Sequence, residues 1–163
     1  MVASSLDPEI SRWRHRPHAD LADAEAYVRR RADEWVRDER YTWAVCEPTT
    51  GEMLGEVELS DLDLCHGTAE AACWALPAAR GRGMTSTALS AVLRFGFGGL
   101  GLHRVTYAWA DGNTASGRVA AKCGFRPEGR QRAAWLVDGR RVDVHIAGRL
   151  ATDPEDHLLK INS

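Results

Sequence analysis

The sequence predicts an α+β fold, in which a mostly antiparallel sheet carries a few helices. Three strand-like runs follow one another after the first helical pattern, and the later helices are inserted singly between strands. One inserted helix makes a β-α-β unit, whose two strands should run parallel because a crossover joins them. The predicted order is helix, three strands, helix, strand, helix and two strands, which argues against a doubly wound sheet.

The first half of the chain supplies one helix and three strands. Apolar residues recur at Leu21, Ala24, Val28 and Trp35 among charged residues, which is helical spacing. The charged run RRRADEWVRDER is therefore interpreted as the solvated side of this helix. Three strands follow in the runs YTWAVCE, MLGEVELS and EAACWAL, separated by turn residues at PTTGE and by the polar loop DLDLCHGTA.

The second half begins with a long helical pattern at residues 85–97, which ends in the stop signal GGLG. The strand HRVTYAWA, a turn at DGN and a helix at 114–123 follow, and this helix ends at Gly124. The runs AAWLVDG and VDVHIAGRL form a hairpin-like pair. Helix 85–97 joins EAACWAL to HRVTYAWA, so its N-terminus lies at the carboxyl end of a strand, where open sheets place ligands.

Length and composition limit the function classes. A chain of 163 residues can bury a core of its own, and we expect one domain over residues 1–163. The formal net charge of −2 gives no overall attraction to nucleic acid or to anionic membranes. No apolar stretch reaches the roughly 18–20 residues that span a bilayer. The start MVASSLDPEISRW has no secretory signal pattern, so we expect a cytoplasmic protein.

The cysteines predict no metal site. Cys46, Cys65, Cys73 and Cys123 are far apart, form no C-x-x-C pair and have no histidine at zinc-ligand spacing. We expect free and largely buried thiols.

The stretch PAARGRGMTSTAL alternates two arginines with two glycines directly before a helix. Glycine allows positive φ and close approach of a ligand to the backbone, and arginine supplies a fork of donors. A helix that starts there presents unpaired N–H groups at the positive end of its dipole, where phosphates bind. The loop therefore predicts an anion site.

Two familiar phosphate loops do not match this stretch. A Walker A loop needs a lysine directly after its last glycine, and none follows here. The dinucleotide fingerprint G-x-G-x-x-G fails because Ser86 stands at the third glycine position, and no acid follows about 20 residues later.

The pattern Arg80-x-x-Gly83-x-Thr85 resembles the pyrophosphate loop of the GNAT superfamily of acyl-CoA-dependent N-acyltransferases, usually written [QR]-x-x-G-x-[GA]. Thr85 departs from that pattern, because its methyl group is bulkier than the usual residue and its hydroxyl is an added donor.

A second motif, NTASGRVAAKCGF, is similar to the end of the GNAT core in the branch that resembles the RimJ and RimL ribosomal-protein N-terminal acetyltransferases. Asn113 and Ser116 stand at the matching spacing before Gly124 and Phe125. Asn113 also stands where it would cap the following helix. Flanking segments such as DPEISRW and VDVHIAGRL agree, so the resemblance covers nearly the whole chain.

This resemblance implies the GNAT fold, a mixed and mostly antiparallel sheet with a central splayed parallel pair and flanking helices. It also implies that the pantetheine of coenzyme A pairs with the free backbone of CWAL. An N–H near Ala75 or Leu76 would then polarise the thioester carbonyl. The expected cofactor-binding residues are Trp74, Ala75, Leu76, Arg80, Gly81, Arg82, Gly83, Met84, Thr85, Ser86, Asn113 and Ser116.

The chemistry implied by the family is direct attack of a neutral amine on acetyl-CoA, without an acyl-enzyme, so no cysteine is nominated as a nucleophile. Ser116 is the expected proton donor to the leaving thiol, since the helix 114–123 contains no tyrosine. The general base could be any of several acids, with Glu70 preferred because its strand carries the oxyanion donor. The acids that are candidates by position are Glu56, Glu58, Asp61, Asp63 and Glu70.

The predicted function is transfer of an acetyl group from acetyl-CoA to a primary amine, either a protein N-terminus or a small molecule. A non-catalytic acyl-CoA-binding module and an enzyme for a larger acyl group such as succinyl are the alternatives. Similar proteins usually begin with an extra strand, and here Met1 lies only a few residues before Asp7. If that strand is absent, YTWAVCE lies nearer an exposed edge, which favours a homodimer.

Overall fold

The computed structural model describes residues 7–13 and 19–154, which form a six-stranded sheet with flanking helices. The helices are α1 (Pro8–Trp13), α2 (Leu21–Val36), α3 (Met84–Gly98) and α4 (Thr114–Lys122), with a 3-10 turn at Pro77–Ala79. The strands are β1 (Tyr41–Cys46), β2 (Met53–Asp63), β3 (Thr68–Ala75), β4 (Arg104–Ala110), β5 (Arg126–Val137) and β6 (Arg140–Leu150). Their spatial order is β1-β2-β3-β4-β6-β5, and β3 and β4 are the parallel pair in this sheet. The α+β prediction is confirmed.

Two elements differ from the sequence prediction. Helix α1 was not predicted, although Asp7 accepts a hydrogen bond from the Ile10 amide at 2.8 Å and Pro8 starts the helix. Strand β5 begins at Arg126, well before the predicted run AAWLVDG, and its pairing with β6 is interrupted around Ala133, where φ is 52°. A bulged strand loses its strict alternation of apolar residues, which hides it from pattern analysis.

The core lies between helix α3 and the sheet. Leu89 and Leu93 of α3 are almost fully buried against Val57, Leu59 and neighbouring strand residues. Burial of such side chains contributes roughly 1.5–3 kcal/mol each relative to exposure. This packing holds the start of α3 at the carboxyl end of β3.

The parallel pair separates part-way along its length. Strands β3 and β4 pair from Thr68 with Arg104 up to Ala71 with Tyr107 and no further. Beyond that point β3 continues to pair with β2 as far as Ala75, and β4 continues to pair with β6. The two strands therefore part, as the resemblance implied, and the backbone between Ala71 and Ala75 loses its partner on one side.

The remaining fold predictions concern the cysteines and the chain start. Cys123 is buried and Cys73 half-buried, but Cys46 and Cys65 are exposed, so the expected burial was wrong for these two, which lie at a strand end and in a turn.

Strand β1 forms one edge of the described sheet. The predicted lack of a strand before Asp7 falls on residues 1–6, outside the described residues. Within the described residues, no helix is long and apolar enough to cross a membrane.

Gly55 of β2 is expected to be intolerant of any side chain. A Cβ placed there would lie 2.5 Å from the backbone oxygen of Trp74 on the neighbouring strand. We expect Gly55→Ala to destabilise the protein by about 1–3 kcal/mol, because the clash is with backbone that cannot rotate away. Gly98→Ala in α3, where an added Cβ has open space, is the control. Equal unfolding midpoints for the two variants in urea would contradict this prediction.

Candidate active site

The separation of β3 and β4 opens into a cleft of about 1100 Å³. Its walls come from the ends of the two strands, the start of α3, one side of α4, strand β2 and helices α1 and α2. Ligand pockets commonly measure roughly 300–1,000 Å³, so the cleft has room for a cofactor and a small acceptor together.

The glycine loop forms a cradle at one end of the cleft. Gly81 and Gly83 have φ of 72° and 75°, and a Cβ added to either would meet nothing within 4 Å. Gly83 is the N-cap of α3, no side chain caps the helix, and Thr87 donates the first bond of the helix to the Gly83 carbonyl at 3.0 Å. The amides of Met84, Thr85 and Ser86 therefore form the open first turn. This cradle fits a diphosphate.

The two arginines of the loop are already paired with carboxylates. Arg80 bonds Asp7 at 2.8 Å and Glu9 at 2.7 Å, and Arg82 bonds Glu47 at 2.9 Å. The Arg80 guanidinium holds the pKa of Asp7 below its ordinary value of 3.8. Both arginines thus anchor the loop to other parts of the chain, a role that their sequence positions did not reveal.

Helix α4 contributes two further cations to the cleft. Arg118 and Lys122 lie one turn apart, both line the cleft, and both are exposed. Neither has an ion-pair partner within the described part of the chain. These side chains are available to an anion without the loss of an ion pair among the described residues. That Arg80 and Arg82 also bind the cofactor remains a prediction.

The backbone of β3 distinguishes the two predicted oxyanion donors. The Leu76 amide donates to the Leu54 carbonyl at 2.7 Å, so it is not free for a thioester. In antiparallel pairs the bonded positions alternate, so Ala75, one residue earlier, directs its amide away from β2 and into the gap beside β4. Ala75 and Trp74 line the cleft, and Leu76 is not among the lining residues.

Ser116 joins a chain of hydroxyl and thiol groups in the cleft. Asn113 caps α4 by accepting a bond from the Ser116 amide at 3.1 Å. The Ser116 hydroxyl lies 2.8 Å from the hydroxyl of Tyr107, which lies 3.2 Å from Cys73 Sγ. Burial raises the pKa of Tyr107 well above 10 and that of Cys73 to about 11. A tyrosine thus reaches the site from β4, although α4 contains none.

Glu56 is the most enclosed carboxylate of the cleft. It is 4% exposed, and its Oε1 accepts bonds from the Tyr27 hydroxyl at 2.7 Å and from Trp74 Nε1 at 3.1 Å. Burial and the nearby Glu56 charge raise the pKa of Tyr27 to about 12, so Tyr27 remains a donor. Glu58 also lines the cleft, where Arg40 binds it at 2.7 Å.

The other predicted acids do not line the cleft. Glu70 lies on β3 opposite Ser60 of β2 and Thr106 of β4, in the part of the sheet where β3 and β4 are still paired. Burial raises its pKa, and it is not among the residues that line the cleft. Asp61 and Asp63 are exposed near the β2–β3 turn.

One cluster outside the cleft combines possible metal ligands. Asp63, Cys65 and His66 bring three such atoms within 4.8 Å of one another on the exposed turn, and His66 is bonded to Asp63 at 2.8 Å. The expectation of no metal site remains a prediction.

Residues 2–126 match the model of the family described as Acetyltransferase (GNAT) domain. The chain belongs to the GNAT acetyltransferase family. The match includes the glycine loop and the α4 motif from which the resemblance was drawn. The GNAT fold and the class of acetyl-CoA-dependent N-acetyltransferase are thereby confirmed.

Individual GNAT proteins are similar over much of the chain. Spermidine N(1)-acetyltransferase of Vibrio cholerae serotype O1 is 25% identical over 135 residues, covering 83% of this chain and 76% of that protein. The uncharacterized N-acetyltransferase YoaA of Bacillus subtilis is 30% identical over 104 residues, covering 64% of this chain and 59% of that protein. The ribosomal-protein-S5-alanine acetyltransferase of Vibrio fischeri shares the fold, with a TM-score of 0.82 at 18% identity over 90% of this chain and 82% of that one.

Proposed function

We propose that this GNAT protein acetylates a primary amine by direct attack, with Glu56 as the proton acceptor and Ser116, backed by Tyr107, as the proton donor. The observation that carries the proposal is the position of Glu56. It lies in the same cleft as the glycine cradle and is held there by Tyr27 and Trp74.

The donor end of the cleft suits acetyl-CoA, which supplies an activated thioester carbonyl. Amides of the open first turn of α3 and the space beside Gly81 and Gly83 would hold its diphosphate. The unpaired backbone beyond Ala71 would pair with the pantetheine. The Ala75 amide would donate to the carbonyl oxygen as negative charge develops on it.

Glu56 suits the role of base better than the other acids. Its two hydrogen-bond donors, Tyr27 and Trp74, are neutral and both bind Oε1. Among the described residues, none donates a hydrogen bond to Oε2. Glu58 is engaged in an ion pair with Arg40 at 2.7 Å, which an ammonium group of a substrate would have to displace. Glu70 lies outside the cleft lining. We therefore propose Glu56 in place of Glu70.

Proton transfer closes the reaction. As the amine nitrogen forms its bond to the carbonyl carbon, Glu56 accepts one of its protons. The carbon–sulfur bond breaks, and the Ser116 hydroxyl gives a proton to the departing sulfur while it is hydrogen-bonded to Tyr107. Solvent then returns a proton to Ser116 and takes up the one held by Glu56, so both groups are restored. A thiol of pKa near 8.5 leaves readily, so this donor contributes less than the base.

Arg118 and Lys122 are expected to strengthen acetyl-CoA binding through its phosphates. Replacing both with alanine should raise the KM for acetyl-CoA by about tenfold or more, because each charge-assisted bond is worth roughly 1.5–3 kcal/mol before exposure to water weakens it. The effect should shrink at high salt. Arg94→Ala, an exposed position on α3 outside the cleft lining, is the control. A KM unchanged in the double variant at low salt would remove these residues from the site.

The proposed activity is tested by the release of free thiol from acetyl-CoA with a set of primary amines and peptides with free N-termini. Turnover supports the proposal, and mass spectrometry of the product identifies the acetylated nitrogen. Tight binding of coenzyme A without turnover of any amine would instead support a non-catalytic binding module. Faster turnover with succinyl-CoA than with acetyl-CoA would show that the protein transfers a larger acyl group.

We also propose a cytoplasmic location and a homodimer. Two free cysteines, Cys46 and Cys65, are exposed, which suits a reducing compartment. Strand β1 at the sheet edge offers unpaired backbone groups to a second copy. Light scattering at high micromolar concentration tests the dimer, and a monomeric mass would contradict it.

A further inference from the structure

The cleft is rich in aromatic side chains. Four of the six tryptophans of the chain line the cleft: Trp13, Trp74, Trp109 and Trp135. Tyr27 lies among them and is bonded to Glu56. Aromatic pairs contribute about 0.5–1.5 kcal/mol beyond area burial, so such walls favour a flat, apolar body over a flexible polar chain.

Two arginines lie beside Tyr27, the residue that is bonded to the proposed base. The guanidinium carbons of Arg30 and Arg31 lie 5.4 Å and 4.5 Å from the centroid of the Tyr27 ring. Arg31 is paired with Glu34, and Arg40 with Glu58. Arg30 lines the cleft, is exposed, and has no ion-pair partner within the described ranges. A guanidinium in this situation is suited to a carboxylate or phosphate of a ligand.

Besides Glu56, the acids Glu9, Asp23 and Glu58 line the cleft. Glu9 is bound to Arg80, and Asp23 accepts a bond from the Ala19 amide at 3.2 Å. Glu56 is the enclosed acid without a cationic partner in the described part of the chain. The described part of the cleft thus offers one enclosed carboxylate, Glu56, for an ammonium group. Arg30, beside the Tyr27 ring that is bonded to Glu56, offers a guanidinium without an ion-pair partner among the described residues.

We infer that the acceptor is a primary amine on an aromatic body that also carries a carboxylate or phosphate, and that it is not a polyamine. The inference rests on the proposed function and names its substrate class. The amine would bind at Glu56, the ring would pack against the tryptophans, and the anion would bind Arg30. A second ammonium group, as in spermidine, would instead meet the like charge of Arg30.

A matched set of amines tests this inference by kcat/KM. Tyramine has the ring and amine without an anion, tyrosine adds a carboxylate, tyramine O-phosphate adds a phosphate, and spermidine is the polyamine. We expect one anionic amine to exceed tyramine by about tenfold or more, as one charge-assisted bond predicts, and spermidine to be the poorest. If tyrosine is the better substrate, the anionic group of the acceptor is a carboxylate. If tyramine O-phosphate is the better substrate, it is a phosphate.

The Arg30→Glu variant should remove the preference for the anionic amine and improve spermidine, while the KM for acetyl-CoA stays unchanged. Arg29→Ala is the matched control, because Arg29 lies next along α2, pairs with Glu25 and is outside the cleft lining. Spermidine as the best substrate of the unaltered protein, or equal use of tyramine and its anionic relatives, would overturn the inference alone. Failure to acetylate any amine would overturn the proposed function and the inference with it.

Discussion

A Glu56→Gln variant is expected to lose about 10²–10⁴-fold in kcat while its KM for acetyl-CoA stays nearly unchanged. The substitution keeps the shape of the side chain, and the amide oxygen can still accept the bonds from Tyr27 and Trp74. It removes the oxygen that would take a proton from the attacking amine. The loss should be smaller for an α-amine, of pKa about 7.7–8.0, than for a lysine side chain near 10.4, since the former is partly neutral already.

Two matched variants locate the base. Glu58→Gln changes an acid of the same cleft that is bound to Arg40, and Glu70→Gln changes one outside the lining. Both should retain most of the activity, with circular dichroism verifying the fold of all three variants. A large loss of kcat in Glu70→Gln with little loss in Glu56→Gln would return the role to Glu70.

The second large effect is expected at Gly83, where an aspartate should weaken coenzyme A binding by about 100-fold or more. An added carboxylate would stand in the cradle against the diphosphate, and juxtaposed like charges cost several kcal/mol. The backbone φ of 75° adds strain of roughly 1–2 kcal/mol for a residue with a Cβ. In the protein alone that Cβ meets nothing within 4 Å, so the variant should still fold.

Calorimetric titration with coenzyme A measures the change at Gly83. Gly51→Asp is the matched control, because Gly51 has a φ of 72° and equally open surroundings but lies outside the cleft lining. It should carry the same backbone strain without the loss of affinity. Equal affinity of the Gly83 variant and the unaltered protein would contradict the position of the diphosphate.

The features that could be read from the sequence are local ones. The helix at Met84–Gly98 was predicted to within one residue at each end, because its start follows a glycine and its end precedes GGLG. The positive φ of Gly83 and the cap at Asn113 likewise follow from chemistry within a few residues. The conformation of a turn or a helix cap depends on a few neighbouring residues, so a sequence pattern can predict it.

The contacts of the loop arginines were not predictable in this way. Arg80 meets Asp7 across 73 residues of chain, and Arg82 meets Glu47 across 35. Their positions directly after the strand predicted that both arginines bind a phosphate. The sequence alone does not show which acid the fold brings close to each of them. The cations of α4 at Arg118 and Lys122 could have been found from their helical spacing beside Asn113 and Ser116.

By itself the sequence determined the order of elements from α2 onward, the parallel crossover and the glycine loop at the start of α3, since each depends on residues adjacent in the chain. Our proposal of Glu56 as the base depends on the tertiary structure. Glu56 is joined to Tyr27 across 29 residues and to Trp74 across 18, through a helix and a strand register that no local pattern encodes. Because side chains on a strand alternate and a small register shift changes their neighbours, the acceptor site exists only once the sheet is assembled.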